Sequence, residues 1–145
     1  MSQLIDFFRE GSPGGDYCVE ISEQQLIGDP SYLIGPVRAL KEAGVQIAID
    51  DVGFGRSCLE SLILLEPDIV KIDRRCVHGI ARDAALARPL ERLLRVAREL
   101  GAEIIAEGIE DPVDLEALRR YGVRYGQGYL LGRPSEHPAK VAAAG

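Results

Sequence analysis

A short β-branched run followed by a longer amphipathic stretch recurs along this chain, and that rhythm restricts it to alternating strands and helices. The runs are Tyr17 to Ile21, Val45 to Ile49, Ile69 to Ile72 and Glu103 to Ala106, each short enough for a strand buried in a parallel sheet. The first intervening helix is predicted over 30–43, where Leu33, Ile34, Val37 and Leu40 recur near helical spacing ahead of Gly44. A second runs over 83–100, with Leu86, Leu90, Leu93, Leu94, Ala97 and Leu100 on one stripe before Gly101. A third starts at Asp111, with Pro112 suited to a first turn, and ends at Tyr121 before Gly122. The fold class is α/β, with parallel strands joined by crossover helices. The rhythm alone leaves two forms open, a doubly wound sheet or a segment of a barrel. A short helix is expected from Leu4 to Glu10, a turn over 11–15 and a loosely attached tail over 135–145.

The length of 145 residues suits one domain, taken as 1–134 ahead of the tail. No apolar run reaches the roughly 18 residues of a membrane-spanning helix, and the start lacks the basic and apolar regions of a secretory leader. A cytoplasmic protein is the expectation. Cys18, Cys58 and Cys76 form no paired pattern and are read as reduced, packed thiols. A formal net charge of −6 offers no basic face for duplex nucleic acid, so an anionic ligand needs a bridging cation.

Acidic residues gather at the ends of the strand runs. Glu20 lies near the end of the first, Asp50 and Asp51 follow the second, Asp73 the third and Glu107 the fourth. In a parallel sheet those ends share the C-terminal rim, where α/β and barrel enzymes build their sites. Converging carboxylates repel unless a cation intervenes. All-oxygen donors favour Mg2+ or Mn2+, and an aspartate shared by two ions holds them about 4 Å apart. Asp50 is read as projecting into the rim and Asp51 as lying beyond the strand.

Each acid also has an ordinary reading, as a helix cap or a solvated loop residue. Lys71, inside an apolar run and alternating with Asp73, is either a structural ion pair or a holder of water or phosphate oxygen. Glu110 would also serve as a carboxylate at a helix N-terminus. Gly126-Gln127-Gly128 either lets backbone approach closely or forms a bare turn. His78 is expected on a surface helix and His137 in the tail.

Five ordered motifs across 17–134 resemble the later motifs of EAL domains: Glu20-Ile21-Ser22-Glu23, Asp50-Asp51-Val52-Gly53-Phe54-Gly55, Lys71-Ile72-Asp73, Ala106-Glu107-Gly108-Ile109-Glu110 and Gln127-Gly128-Tyr129-Leu130. The resemblance implies a partial TIM-like (β/α) barrel that hydrolyses cyclic-di-GMP to pGpG in bacterial second-messenger signalling, with two Mg2+ or Mn2+ ions. It implies Glu20 and Asp50 as ligands of a first metal, Asp50 bridging to a second, and Asp51 as a ligand of that second ion. Glu107 matches a metal ligand or general base, and Lys71 a residue orienting the attacking water. Glu23 matches a brace for the loop after the paired aspartates, while Glu110 and Gln127 match site-lining positions; Asp73 shares the lysine motif. Val52, Phe54 and Arg56 depart from the usual loop. No counterpart of the Glu-Ala-Leu strand, or of the strand with an Asn ligand, precedes Met1, so first-metal coordination is expected to be incomplete. An open partial barrel is expected to self-associate and to turn over weakly or not at all. The alternative is a non-catalytic module that binds cyclic-di-GMP or a protein partner.

Overall fold

The structure is a computed structural model that describes residues 2–9 and 16–134. Five parallel strands form one sheet in sequential order: β1 (Cys18–Ser22), β2 (Gln46–Val52), β3 (Ile69–Ile72), β4 (Glu103–Ala106) and β5 (Tyr125–Gly126). Each strand pairs with the next in sequence, and this decides between the two forms left open above. A doubly wound sheet reverses its strand order at a switch point, whereas a barrel adds each strand beside the last. The sheet is an arc of a barrel, and it does not close among the described residues.

The connections are helical: α1 (Ser2–Arg9) precedes β1, α2 (Ile34–Glu42) joins β1 to β2, and α3 (Arg56–Leu65) joins β2 to β3. The single turn α4 (Arg74–Val77) and α5 (Ala84–Glu99) join β3 to β4, and α6 (Pro112–Arg120) joins β4 to β5. Asp83 and Asp111 cap α5 and α6, each accepting from the backbone N–H two residues on. Pro89 sits in the second turn of α5, where tertiary packing of Leu90, Leu93 and Leu94 outweighs its missing donor. No helix among the described residues is long and apolar enough to cross a membrane.

Side-chain alternation sorts the sheet into two faces. Ile21, Ile47, Ile49, Val70, Ile72, Ile104 and Ala106 point towards the helices and are buried in a single core. The opposite, inner face carries Cys18, Glu20, Gln46, Glu103 and Tyr125, all exposed. The expectation of three packed thiols is therefore corrected at Cys18, which shares the open face with Glu20, while Cys58 and Cys76 are buried. Burial pushes the Cys58 thiol up to about 12 and the Cys76 thiol to about 11. Because only the thiolate reacts, an alkylating reagent at pH 8 is expected to label one cysteine in the native chain and three in denaturant. Mass spectrometry after quenching checks the count.

The helix at 56–65, the single turn at 74–77 and the two-residue strand β5 are additions to the elements read from sequence. His78 is exposed and caps the C-terminus of α4. The expected turn over 11–15, the tail over 135–145 and His137 lie outside the described residues.

Candidate functional site

Strand β2 carries a local irregularity that sets the geometry of the rim. Ile49 pairs with Val70 and Val52 with Ile72, so β2 holds one more residue than β3 over this stretch. The extra residue is accommodated by Asp51, whose φ of 59° lies in the left-handed region that Asp tolerates better than most residues. Strict alternation would have turned Asp51 into the helix-covered core. The bulge instead returns Val52 to the core, where it is fully buried, and leaves both aspartates facing the rim. Asp51 thus lies within β2 rather than beyond it.

Asp50, Asp51 and Glu107 each offer a carboxylate oxygen within 4.8 Å of the others. Lys71 Nζ lies 2.8 Å from Asp50 Oδ1, 3.0 Å from Glu107 Oε1 and 3.3 Å from Glu20 Oε1. The Lys71 side chain is 12% exposed. Burial by itself would lower the ammonium's pKa, but the Asp50 and Glu107 carboxylates outweigh it and hold the group above its ordinary value. Burial also pushes the Glu107 carboxyl up; Lys71 opposes that shift, and the charges of Asp50 and Asp51 add to it. One ammonium therefore does not offset the crowded carboxylates. Asp50 Oδ1 is shut off from solvent and finds no aligned hydrogen bond, since Lys71 approaches it as a close ion pair. A hard divalent cation suits this all-carboxylate donor set and would complete the buried oxygen.

The remaining residues singled out from the sequence divide into those that support the rim and those turned away from it. Gln127 Nε2 donates to Glu107 Oε1 at 2.7 Å. Its backbone is locked, because Gln127 N donates to Ala106 O, Ile109 N to Gln127 O, and Leu130 N to Ile109 O. A Cβ at Gly128 would meet the Ile109 backbone at 2.2 Å. Gly128→Ala is accordingly expected to cost about 1–3 kcal/mol by denaturant titration, as overpacking does, and to pull Gln127 off Glu107. Glu23 Oε2 accepts from Gly53 N at 3.2 Å, bracing the loop that follows the paired aspartates. The buried Cys58 thiol also hydrogen-bonds Glu23, a support that spacing in the sequence did not disclose. Asp73 caps α4 and pairs with Arg75 at 2.9 Å. Glu110 pairs with Arg74 at 3.1 Å. Glu110 and Arg74 line a cleft of about 670 Å3 together with Gln127, Tyr129 and Arg133, whose guanidinium sits 4.8 Å from the Tyr129 ring centre.

Residues 1–134 match the family described as the EAL domain. The chain belongs to the EAL domain family. Among EAL proteins, it is 33% identical over 134 residues to the protein named probable cyclic di-GMP phosphodiesterase PdeD of Escherichia coli, covering 92% of this chain and 25% of PdeD. The EAL domain of Mycobacterium smegmatis DcpA superposes with a TM-score of 0.78 at 32% identity, covering 92% of this chain and 60% of that one. Klebsiella pneumoniae BlrP1, solved as a manganese and cy-diGMP complex, also gives 0.78, at 30% identity, covering 92% of this chain and 34% of BlrP1. This chain thus spans a quarter of PdeD and three-fifths of the DcpA chain. The partial barrel seen here matches the TIM-like fold of EAL domains.

Proposed function

We propose that this chain carries the rim of a cyclic-di-GMP phosphodiesterase, a bacterial signalling hydrolase that opens the cyclic dinucleotide to linear pGpG. The observation that carries the proposal is the convergence of Asp50, Asp51 and Glu107 within 4.8 Å of one another, with the Lys71 ammonium against Asp50 and Glu107, at the C-terminal ends of parallel strands. The phosphodiesterase name of PdeD and the cy-diGMP in the BlrP1 structure support the substrate class.

In this reading Asp50, Asp51 and Glu107, with Glu20 at the open side, hold Mg2+ or Mn2+. Bound there, the metal would supply an activated water and neutralise the phosphodiester. Lys71 orients the attacking water or a phosphate oxygen from its position among the carboxylates. Gln127 fixes the Glu107 carboxylate, and Glu23 holds the loop at Gly53. Glu110 and Asp73 border the substrate space from the cleft side and the α4 cap respectively.

Slow turnover and self-association belong to the same proposal. Among the described residues, β1 and β5 are the outer strands of the sheet, Glu20 is 53% exposed, and the inner face exposes Cys18, Gln46, Glu103 and Tyr125 as well. Exposed strand edges recruit further chains. A second reading, a module that binds cyclic-di-GMP without cleaving it, draws on the same openness beside Glu20. A cytosolic setting fits the unpaired thiols.

Chromatography of cyclic-di-GMP incubated with the chain separates the two. The enzyme reading expects pGpG with Mn2+ and none with a chelator. Retained ligand without product in either condition would leave the binding module. Light scattering is expected to find more than one chain per particle; a monodisperse monomer would contradict the self-association.

A further inference from the structure

Two buried thiols stand against the loop that leaves β2, and neither takes part in the proposed chemistry. Cys58, 1% exposed in the first turn of α3, hydrogen-bonds the Glu23 carboxylate, and its sulfur also meets the Gly53 backbone N–H. Gly53 N in turn donates to Glu23 Oε2 at 3.2 Å. Glu23, Gly53 and Cys58 thus close a triangle that joins the turn after β1, the loop and α3. Cys76, buried in α4, takes the next amide along, that of Phe54.

We propose that the Cys58 thiol is a positioning residue for Asp51: by orienting Glu23 it fixes Gly53, and the fixed loop keeps Asp51 in its left-handed conformation with its carboxylate beside those of Asp50 and Glu107. Cys76 secures the loop one residue further on. The inference rests on the metal-centre reading above for what the positioned carboxylate serves, and adds to it a support from α3.

Asp51 has a φ of 59°. A residue other than glycine is strained there and persists only where the structure on both sides determines it. Before Asp51, β2 is held by the pairing of Ile49 with Val70. After it, Val52 pairs with Ile72 and its carbonyl accepts from Asp73 N at 3.0 Å, but the chain leaves the sheet at Gly53. From that point the restraint comes from side chains, one carboxylate and two sulfurs. Glu23 is only half-buried, so a single contact to Gly53 would leave its carboxylate free to turn. The Cys58 S–H supplies a second, fixed contact. A thiol is a weak donor, but a charged acceptor strengthens the bond and burial removes water as a competitor.

Amide hydrogen exchange read by NMR on the metal-free, full-length chain tests this, beside calorimetric Mn2+ titration and thermal unfolding. Cys58→Ala is expected to speed exchange at the Gly53 amide about tenfold, because the opening there becomes local and cheap. It is also expected to weaken Mn2+ binding about tenfold, the low end of what loss of an outer-shell partner costs. Cys58→Ser, which keeps a donor, is expected to stay near the wild type in both. In a Glu23→Gln background Cys58→Ala is expected to change neither further, since the thiol acts through that carboxylate. Where Cys58→Ala does not fold, Cys58→Val, which fills the space without a donor, takes its place with the same results expected. Unchanged Gly53 exchange in a folded Cys58→Ala, equal losses with and without Glu23→Gln, or a loss in Cys58→Ser as large as in Cys58→Ala would overturn the inference while leaving the metal centre standing. No Mn2+ bound by a folded wild type would overturn the metal-centre reading, and the exchange at Gly53 would still decide whether Cys58 holds the loop.

Discussion

Asp50→Asn is expected to weaken Mn2+ binding to this chain by more than the roughly 10–100-fold that loss of an outer-shell partner costs, and to do so without unfolding it. Asp50 lies within 4.8 Å of Asp51 and Glu107, and 2.8 Å from Lys71. A carboxamide keeps the shape but removes the charge, and a divalent cation depends on that charge. The fold is expected to tolerate the change because the native arrangement crowds like charges. Burial with Asp50 and Asp51 nearby already holds the Glu107 carboxyl up, so removing one charge relieves part of that cost. Calorimetric Mn2+ titration beside thermal unfolding checks both halves. Lost binding with a melting temperature near that of the wild type is the expected pair of results. Lost binding with a collapsed melting temperature would make Asp50 a structural residue instead.

Asp114→Ala is expected to cost about 3 kcal/mol of stability, a large share of the 5–15 kcal/mol typical of a small domain. Asp114 is 2% exposed in the first turn of α6. Its two oxygens accept from Gly79 N at 2.9 Å and Ala81 N at 3.0 Å. Truncation would leave both part-buried donors without their acceptor and remove a carboxylate from the favourable end of the helix. Arg82 and Asp111 make a second link between the same segments at 2.9 Å, but Arg82 is 62% exposed and this pair adds little. Denaturant unfolding is the measurement. The pairing holds the segment after α4 against α6, so an accompanying loss of Mn2+ affinity is expected to be small, because Asp114 touches none of the rim carboxylates. This contrast with Asp50→Asn distinguishes a structural acid from a site acid.

Much of this arrangement was legible in the residues. The runs at 69–72 and 103–106 are the strands themselves, because short β-branched segments bounded by turn residues have few other packings. Asp83 and Asp111 cap α5 and α6 where the apolar stripes begin. The acids at Asp50, Asp51 and Glu107 converge because parallel strands share their C-terminal ends. Helix α3 was hidden, since Leu62, Ile63, Leu64 and Leu65 run together without helical spacing and the helix ends at Glu66 in a left-handed conformation instead of at a glycine. The bulge at Asp51 was hidden too: alternation assigns Asp51 to the core face, and only its pairing against β3 reveals the extra residue. Cys18 reads as apolar by type, yet its register beside Glu20 sets it on the open inner face. Asp73 and Glu110 fall at rim positions, but Asp73 pairs with Arg75 two residues on, and Glu110 with Arg74, which only the folded loops bring within its reach.

The central claim is that the rim carboxylates bind a divalent ion and, through it, an anionic cyclic dinucleotide. Calorimetric titration of cyclic-di-GMP into the chain tests it most directly, run with Mn2+, with a chelator, and with Mn2+ on Asp51→Asn. The account predicts binding in the first condition and its loss in the other two. Binding of equal strength with the chelator, or with the Asp51 charge removed, would contradict it.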